Sequence, residues 1–269
     1  MITKITSNYV INLIKNGKRF DKRKLDEMRD LKIEYDISRN AEGSAKVTLG
    51  KTVIIAGVKL GLSTPYPDSP DKGVLTTSAE FLTIAAPEFE PGLPGEEAVE
   101  LARVVDRGIR EGHAIDLGKL CIKEKVKVWM VFLDIMVINH DGNLIDAAGI
   151  AALAALTHAK MPNLIVDGEE YTTNRDNMTE PVPLQDLPIP VTIRKNGGAH
   201  IVDTTAIEEN AIHGRITVTT KANGNICAMQ QGGANAFTIE EINSIVAMSQ
   251  KIGEEIRKEH FHPSKHKLE

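Results

Sequence analysis

The segment IVDTTAIEENAIHGR, residues 201–215, carries a tight group of acids at the predicted exit of a strand and in the loop that follows. The acids are Asp203, Glu208 and Glu209. Carboxylates grouped at a strand end are typical of a divalent-metal site or a general acid. The segment ends on Arg215, whose permanent positive charge would repel a metal ion. The pattern therefore predicts a working site or one that has lost its activity, and the alternative is a solvated loop with a capping acid.

Strands and a helix are predicted on both sides of this segment. The strands PVTIRK and HIVDTT are joined across Asn196-Gly197-Gly198, and RITVTT and ICAMQQ are joined across Asn223-Gly224, a dipeptide typical of tight hairpins. Thr238 and Glu241 have the spacing of a capping box, which predicts the start of a final helix. The second half of the chain therefore runs from strands to a helix.

The first half shows the same order of strands and helices. A short amphipathic helix is predicted over 5–16, with Ser7 as its cap, and strands over 33–37 and 45–62. Helical periodicity follows over 95–112, then a long apolar strand over 124–139 and an alanine-rich helix. The run VIIAGVKLGL is almost wholly apolar at first, which predicts a strand covered on both faces. Both halves therefore indicate a mixed α/β fold built from two related units.

The domain organisation follows from these patterns and from changes in composition. The stretch 171–190 is polar and holds four prolines, so we predict an irregular segment there. The predicted parts are an N-terminal helix with a charged segment (1–30), a first half (31–166), a linker (167–188), a second half (189–259) and a polar tail (260–269).

Composition narrows the class of protein. The chain has 269 residues, a net charge of −5 and a pI of about 5.9, which argues against a surface that binds nucleic acid everywhere but permits one basic patch. Aromatic residues make up only 4%, so platforms that stack bases are not expected. Cys121 and Cys227 lie far apart, which favours a reduced protein. No apolar run reaches about 18 residues and no secretory signal is visible, so we predict a cytoplasmic protein with no membrane span.

Arginines recur along the predicted helix over 95–112. Arg103, Arg107 and Arg110 are spaced four and three apart and share a face roughly opposite the apolar stripe. Such a face can hold the backbone of a nucleic acid without reading its sequence. The alternative is a solvent-exposed face balanced by Glu100 and Asp106 through neighbouring helical turns.

Five stretches in order carry a family resemblance, from about residue 17 to 258. They are GKRFDKR with LDEMRDLKIE, VELARVVDRGIRE, DGNLIDAAGIAAL, IVDTTAIEENAIHGRITV and NGNICAMQQGG. Together they resemble the RNase PH family of phosphorolytic 3′→5′ exoribonucleases, and more closely the non-catalytic RNase PH-like subunit of the archaeal exosome core. Lys22 stands where the family motif R-x-D-G-R has its glycine.

The resemblance implies an α/β RNase PH fold with two βαβ-type halves. It implies a hexameric ring of three heterodimers, in which this chain alternates with a catalytic RNase PH-like subunit beneath RNA-binding cap subunits. Single-stranded RNA would enter the central channel, and phosphate would attack its 3′ end. The helix with Arg103, Arg107 and Arg110 would face the cleft that the heterodimer shares, where these arginines would bind RNA.

The chain departs from the catalytic pattern at two places. Active members hold phosphate at a Gly-Thr-Arg-type segment, where this chain has Asn143-Leu144-Ile145. The two aspartates of active members align with Glu209 and Arg215, so one acid is replaced by a cation. We therefore predict a non-catalytic subunit with no catalytic residue, metal or cofactor of its own. The alternatives are an active phosphate-dependent exoribonuclease and a small-molecule enzyme on a related fold.

Overall fold

The computed structural model describes residues 3–176 and 178–261. Most of the predicted polar tail, residues 262–269, lies outside the described residues.

A six-stranded sheet forms the first half. Its strands run in the order β1-β2-β3-β6-β4, with β5 paired to β6. Their bounds are β1 Leu31–Tyr35, β2 Gly43–Leu49, β3 Thr52–Ser63, β4 Val74–Phe81, β5 Cys121–Lys123 and β6 Lys127–Asn139. The strands predicted from the sequence are confirmed, whereas the short β5 was not predicted. Buried and half-buried residues alternate along most of β3, so the prediction that both of its faces are covered is wrong.

A small hairpin and a second sheet follow. The hairpin pairs β7, Asn163–Asp167, with β8, Glu170–Asn174. The prediction of an irregular segment over 171–190 missed β8, because its polar residues carry no strand pattern. The second sheet has the order β10-β9-β11-β12 and is antiparallel throughout. Its strands are β9 Ile189–Asn196, β10 Ala199–Val202, β11 Gly214–Thr220 and β12 Ile226–Gly232.

Five helices connect and cover these sheets within the described residues. They are α1 Lys4–Lys15, α2 Glu96–Glu111, α3 Leu144–His158, α4 Ala206–Ala211 and α5 Ile239–His260. The cap of α1 is Thr3 rather than the predicted Ser7, since the Thr3 side chain accepts a hydrogen bond from the Thr6 amide. The capping box of Thr238 and Glu241 is confirmed at the start of α5. The short α4 lies in the segment predicted as a loop.

The two βαβ-type units are recognisable in the topology. In the first half β4 and β6 are parallel neighbours, with α2 between them in sequence. In the second half α4 connects β10 and β11, which flank β9 on opposite sides and both run antiparallel to it. The two βαβ-type halves that the resemblance implies are therefore present, and the helix of the second half is the α4 that the residue pattern missed.

Helix α3 joins the two halves through the core. Its residues 145–156 are all buried, and it packs against β2 and β3 of the first sheet and β9 of the second. Alanine and glycine let these elements come close: a Cβ on Gly149 would lie 2.4 Å from Pro190 Cγ. The sheets are therefore held in a fixed relation, and the loops at their common edge can form shared sites.

Candidate functional site

The segment after α1 supplies the arginines that bind two of the three acids, Asp203 and Glu208. The carboxylate of the buried Asp203 accepts hydrogen bonds from Arg29 Nη2 at 2.7 Å, Arg29 Nε at 2.9 Å and Arg23 Nη1 at 3.0 Å. Burial alone would raise the pKa of Asp203, but the hydrogen bonds and charge of Arg29 outweigh it and lower the pKa. Asp203 is therefore an ionised group fixed by two arginines.

Glu208 has a structural partner of the same kind. Its fully buried carboxylate accepts hydrogen bonds from Arg19 Nη2 at 2.6 Å and Arg19 Nε at 2.9 Å. It also accepts from the Thr205 amide at 2.9 Å, which completes the capping box of α4. The capping acid that the sequence left open as an alternative is thus Glu208, and it is buried rather than solvated.

Glu209 is the acid that faces a cavity. It pairs with Arg194 Nη2 at 3.0 Å and accepts a hydrogen bond from the Asn143 amide at 3.0 Å. Each of the three acids therefore has a guanidinium group within hydrogen-bonding distance. That positive charge offsets the negative charge that would attract a divalent cation.

The cavity beside Glu209, here called the junction cleft, has a volume of about 600 Å³. It is lined by residues that include Asn143, Ile145, Arg194, Glu209 and Arg215. The structure thus brings together the two positions that the resemblance aligned with catalytic aspartates and the isoleucine that replaces the phosphate-binding arginine. An isoleucine offers phosphate no hydrogen bond, whereas an arginine offers a charged pair of donors.

Arg215 does not pair with Glu209 across this cleft. Its Nη2 lies 2.5 Å from Glu100 Oε1, on helix α2 of the first half. Sequence reasoning missed both this pair and the pair of Arg194 with Glu209. Partners separated by 115 positions leave no local pattern in the sequence.

A second cavity, here called the arginine groove, has a volume of about 760 Å³. Arg103, Arg107 and Arg110 all line it, together with polar residues of β4, β11 and β12. Within the described part of the chain Arg103 and Arg107 are exposed and form no hydrogen bond or ion pair. Two permanent cations therefore remain available on one wall of an open groove.

The third arginine of this face is engaged inside the chain. Arg110 donates to Asp106 at 2.9 Å and to the Leu75 carbonyl at 3.0 Å. The alternative in which Glu100 and Asp106 balance the whole face is therefore correct only for Arg110, since Glu100 pairs with Arg215. Arg110 is therefore less available to a phosphate group than Arg103 and Arg107.

A buried acid lies behind the junction cleft, at the start of α3. Asp146 accepts hydrogen bonds from the Thr192 amide at 2.9 Å and Thr192 Oγ1 at 2.7 Å, which link α3 to β9. Burial raises the pKa of Asp146 to about 7, because it disfavours the charged form more than the hydrogen bonds from Thr192 favour it. The protonated acid is thus the form that the fold prefers.

This raised pKa makes stability depend on pH. Between the ordinary pKa of 3.8 and about 7, the folded chain holds a proton that the unfolded chain has lost, so stability falls as pH rises. We expect the Asp146 contribution to unfolding free energy to fall by on the order of 3 kcal/mol from pH 5 to pH 8. Asp146→Asn should flatten that decline in urea unfolding, whereas Asp68→Asn in an exposed loop should not. Parallel profiles for wild type and Asp146→Asn would contradict this.

None of the helices in residues 3–176 and 178–261 is both long enough and apolar enough to span a bilayer.

Comparison with known proteins identifies the family. The sequence model of the 3′ exoribonuclease family, RNase PH, matches with its domain 1 over residues 27–162 and with its domain 2 over residues 186–252. The gap between the two matches, residues 163–185, contains the small hairpin and two of the four prolines, Pro181 and Pro183.

Relatives match along nearly the whole chain. The protein named exosome complex component Rrp42 from Thermococcus onnurineus is 45% identical over 257 residues, which cover 96% of this chain and 94% of the relative. The protein of the same name from Thermoplasma acidophilum is 45% identical over 261 residues, covering 97% of each. A chain of the Archaeoglobus fulgidus exosome, solved with RNA bound to the active site, superposes with a TM-score of 0.85 at 39% identity, covering 94% of this chain and 97% of that one.

These matches agree with the order of strands and helices and with the two βαβ-type units described above. The chain therefore belongs to the RNase PH family of 3′ exoribonucleases.

Proposed function

We propose that this chain is a non-catalytic subunit of an exosome core, which binds the RNA backbone and completes the active site of a catalytic RNase PH-like partner. The observation that carries the proposal is the contrast between the two cavities. In the junction cleft every aligned acid position is paired or replaced by an arginine, whereas in the arginine groove Arg103 and Arg107 have no partner among residues 3–176 and 178–261.

The residues of the junction cleft favour a subunit that does not itself catalyse phosphorolysis. Phosphorolysis needs an anion site for phosphate and an acid or metal at the scissile bond. Ile145 stands where the phosphate-binding site would be, and Glu209 forms an ion pair with Arg194. Arg215 adds a positive charge where the family has its second acid. A unit charge about 4 Å from a divalent ion costs several kcal/mol at an effective dielectric near 20.

The arginine groove favours binding of single-stranded RNA by its phosphates. Arg103 and Arg107 project from the same face of helix α2 into a groove that the exposed Thr76 of β4 also lines. These groups hold a phosphate backbone without sequence preference. Glutamates Glu96, Glu100 and Glu111 also line the groove, so RNA would follow the arginines rather than spread over the surface.

The relatives named as exosome components support assembly into such a complex, and the individual partners that we propose come from the family resemblance. They are a catalytic RNase PH-like subunit, which alternates with this chain in a hexameric ring of three heterodimers, RNA-binding cap subunits and the RNA itself. The proposed location is the cytoplasm.

Assembly tests this part of the proposal. Co-expression with a catalytic RNase PH-like subunit should give one species with the mass of three heterodimers in light scattering behind size exclusion. This chain alone should give smaller species or homo-oligomers. A persistent monomer in the presence of that partner would contradict the proposal and would favour a stand-alone enzyme.

A further inference from the structure

Glu100 lies on the wall between the two cavities. It lines both the junction cleft and the arginine groove, and it precedes Arg103 by three positions on α2. Residues three apart on a helix are surface neighbours, so a glutamate and an arginine at this spacing attract each other. Glu100 is therefore placed to compete with RNA phosphate for Arg103.

Arg215 is the residue that holds Glu100 in this structure. The two side chains meet at 2.5 Å, whereas Arg103 has no ionic partner among residues 3–176 and 178–261. The Arg215 side chain is 17% exposed and the Glu100 side chain 41%.

The local backbone leaves room for this contact. Arg215 lies on β11 opposite Gly232 of β12, and a Cβ at Gly232 would come within 2.8 Å of the Arg215 guanidinium carbon. Because Gly232 has no side chain, there is room for the Arg215 side chain to reach Glu100 on α2.

We propose that Arg215 is a positioning residue for RNA binding, because it holds the Glu100 carboxylate and so keeps Arg103 unpaired in the arginine groove. This inference rests on the proposed function of Arg103. Arg215, which stands where catalytic members of the family have an aspartate, would thus support RNA binding in the arginine groove.

The test measures the affinity of the assembled complex for a fluorescein-labelled single-stranded oligoadenylate by anisotropy. Arg215→Ala should weaken binding about fivefold, because Glu100 then pairs with Arg103; this equals about 1 kcal/mol at 1.4 kcal/mol per factor of ten. Glu100→Gln alone should not weaken binding, because it removes a negative charge from the groove and leaves Arg103 unpaired, and Arg215→Ala with Glu100→Gln should restore the affinity. Arg215→Lys, which keeps the charge, should bind nearly as the wild type does.

A charge-matched control separates this mechanism from a general field effect. Glu97→Gln on the same helix, combined with Arg215→Ala, gives the same net charge as the restoring pair but leaves Glu100 ionised, so binding should stay weak. If Arg215→Ala lowers the thermal unfolding midpoint, Arg215→Gln is used in place of Arg215→Ala in every variant of the experiment.

Three results would overturn the inference. These are an unchanged affinity in Arg215→Ala or its Arg215→Gln replacement, a loss in Glu100→Gln as large as that in Arg215→Ala, and restoration by Glu97→Gln. A loss of affinity in Glu100→Gln would mean that the ion pair only supports the structure and does not keep Arg103 available. If Arg103→Glu with Arg107→Glu left the affinity unchanged, the proposed function itself would fail, which is a different outcome.

Discussion

Arg103→Glu combined with Arg107→Glu is expected to weaken RNA binding by the assembled complex at least about tenfold near physiological salt, and to slow RNA degradation accordingly. Two unpaired cations are lost from the arginine groove and two charges that repel phosphate are gained. Two lost phosphate contacts should also make the plot of log affinity against log salt shallower by about 1.4 for single-stranded RNA. Anisotropy titrations over a salt series measure both quantities.

A matched pair of charge reversals controls for net charge. Lys119 and Lys123 are exposed and line neither cavity, so Lys119→Glu with Lys123→Glu should change affinity and salt slope little. The mass of the complex should be the same for both double variants. Equal affinities for the two variants would remove the arginine groove from the proposed RNA path.

Arg19→Met is expected to lower the unfolding free energy by about 3–5 kcal/mol, because it leaves the buried Glu208 carboxylate without its partner. Arg19 also donates to the Val202 and Asp203 carbonyls, so the loss detaches the segment after α1 from the second half. Thermal unfolding of the purified chain should show a midpoint lower by roughly 10 °C.

The neighbouring lysine and a double variant give the controls. Lys18→Met changes an exposed side chain one position away and should leave the midpoint in place. Adding Glu208→Gln to Arg19→Met removes the uncompensated charge and should recover part of the loss. If Arg19→Met were as stable as the wild type, the ion pair would not hold the N-terminal segment to the fold.

Strands and helices with strong local patterns could be predicted from the sequence. The Asn223-Gly224 turn fixed the β11–β12 hairpin, and the Thr238 capping box fixed the start of α5. The spacing of the three arginines on α2 predicted a shared face, and they do line one groove. In each case neighbours within a few positions determine the geometry.

Short elements and distant pairs could not be predicted. Helix α4 has six residues, too few to show helical periodicity, so its segment was interpreted as a loop. The arginine partners of Asp203 and Glu208 come from 174 to 189 positions away. Arg194, the partner of Glu209, comes from a strand whose register the sequence does not give. The pairing of Glu100 with Arg215, rather than with Arg103, depends on how the second sheet meets α2. Such contacts become visible only once the two halves are packed around α3.

We propose that this chain binds RNA but does not cleave it. The most direct measurement is release of nucleoside diphosphates from single-stranded RNA with phosphate and magnesium, by the purified chain alone and by its complex with a catalytic RNase PH-like subunit. We predict no release by the chain alone and sustained release by the complex. Sustained release by the chain alone would contradict the claim, because the junction cleft would then be a working active site.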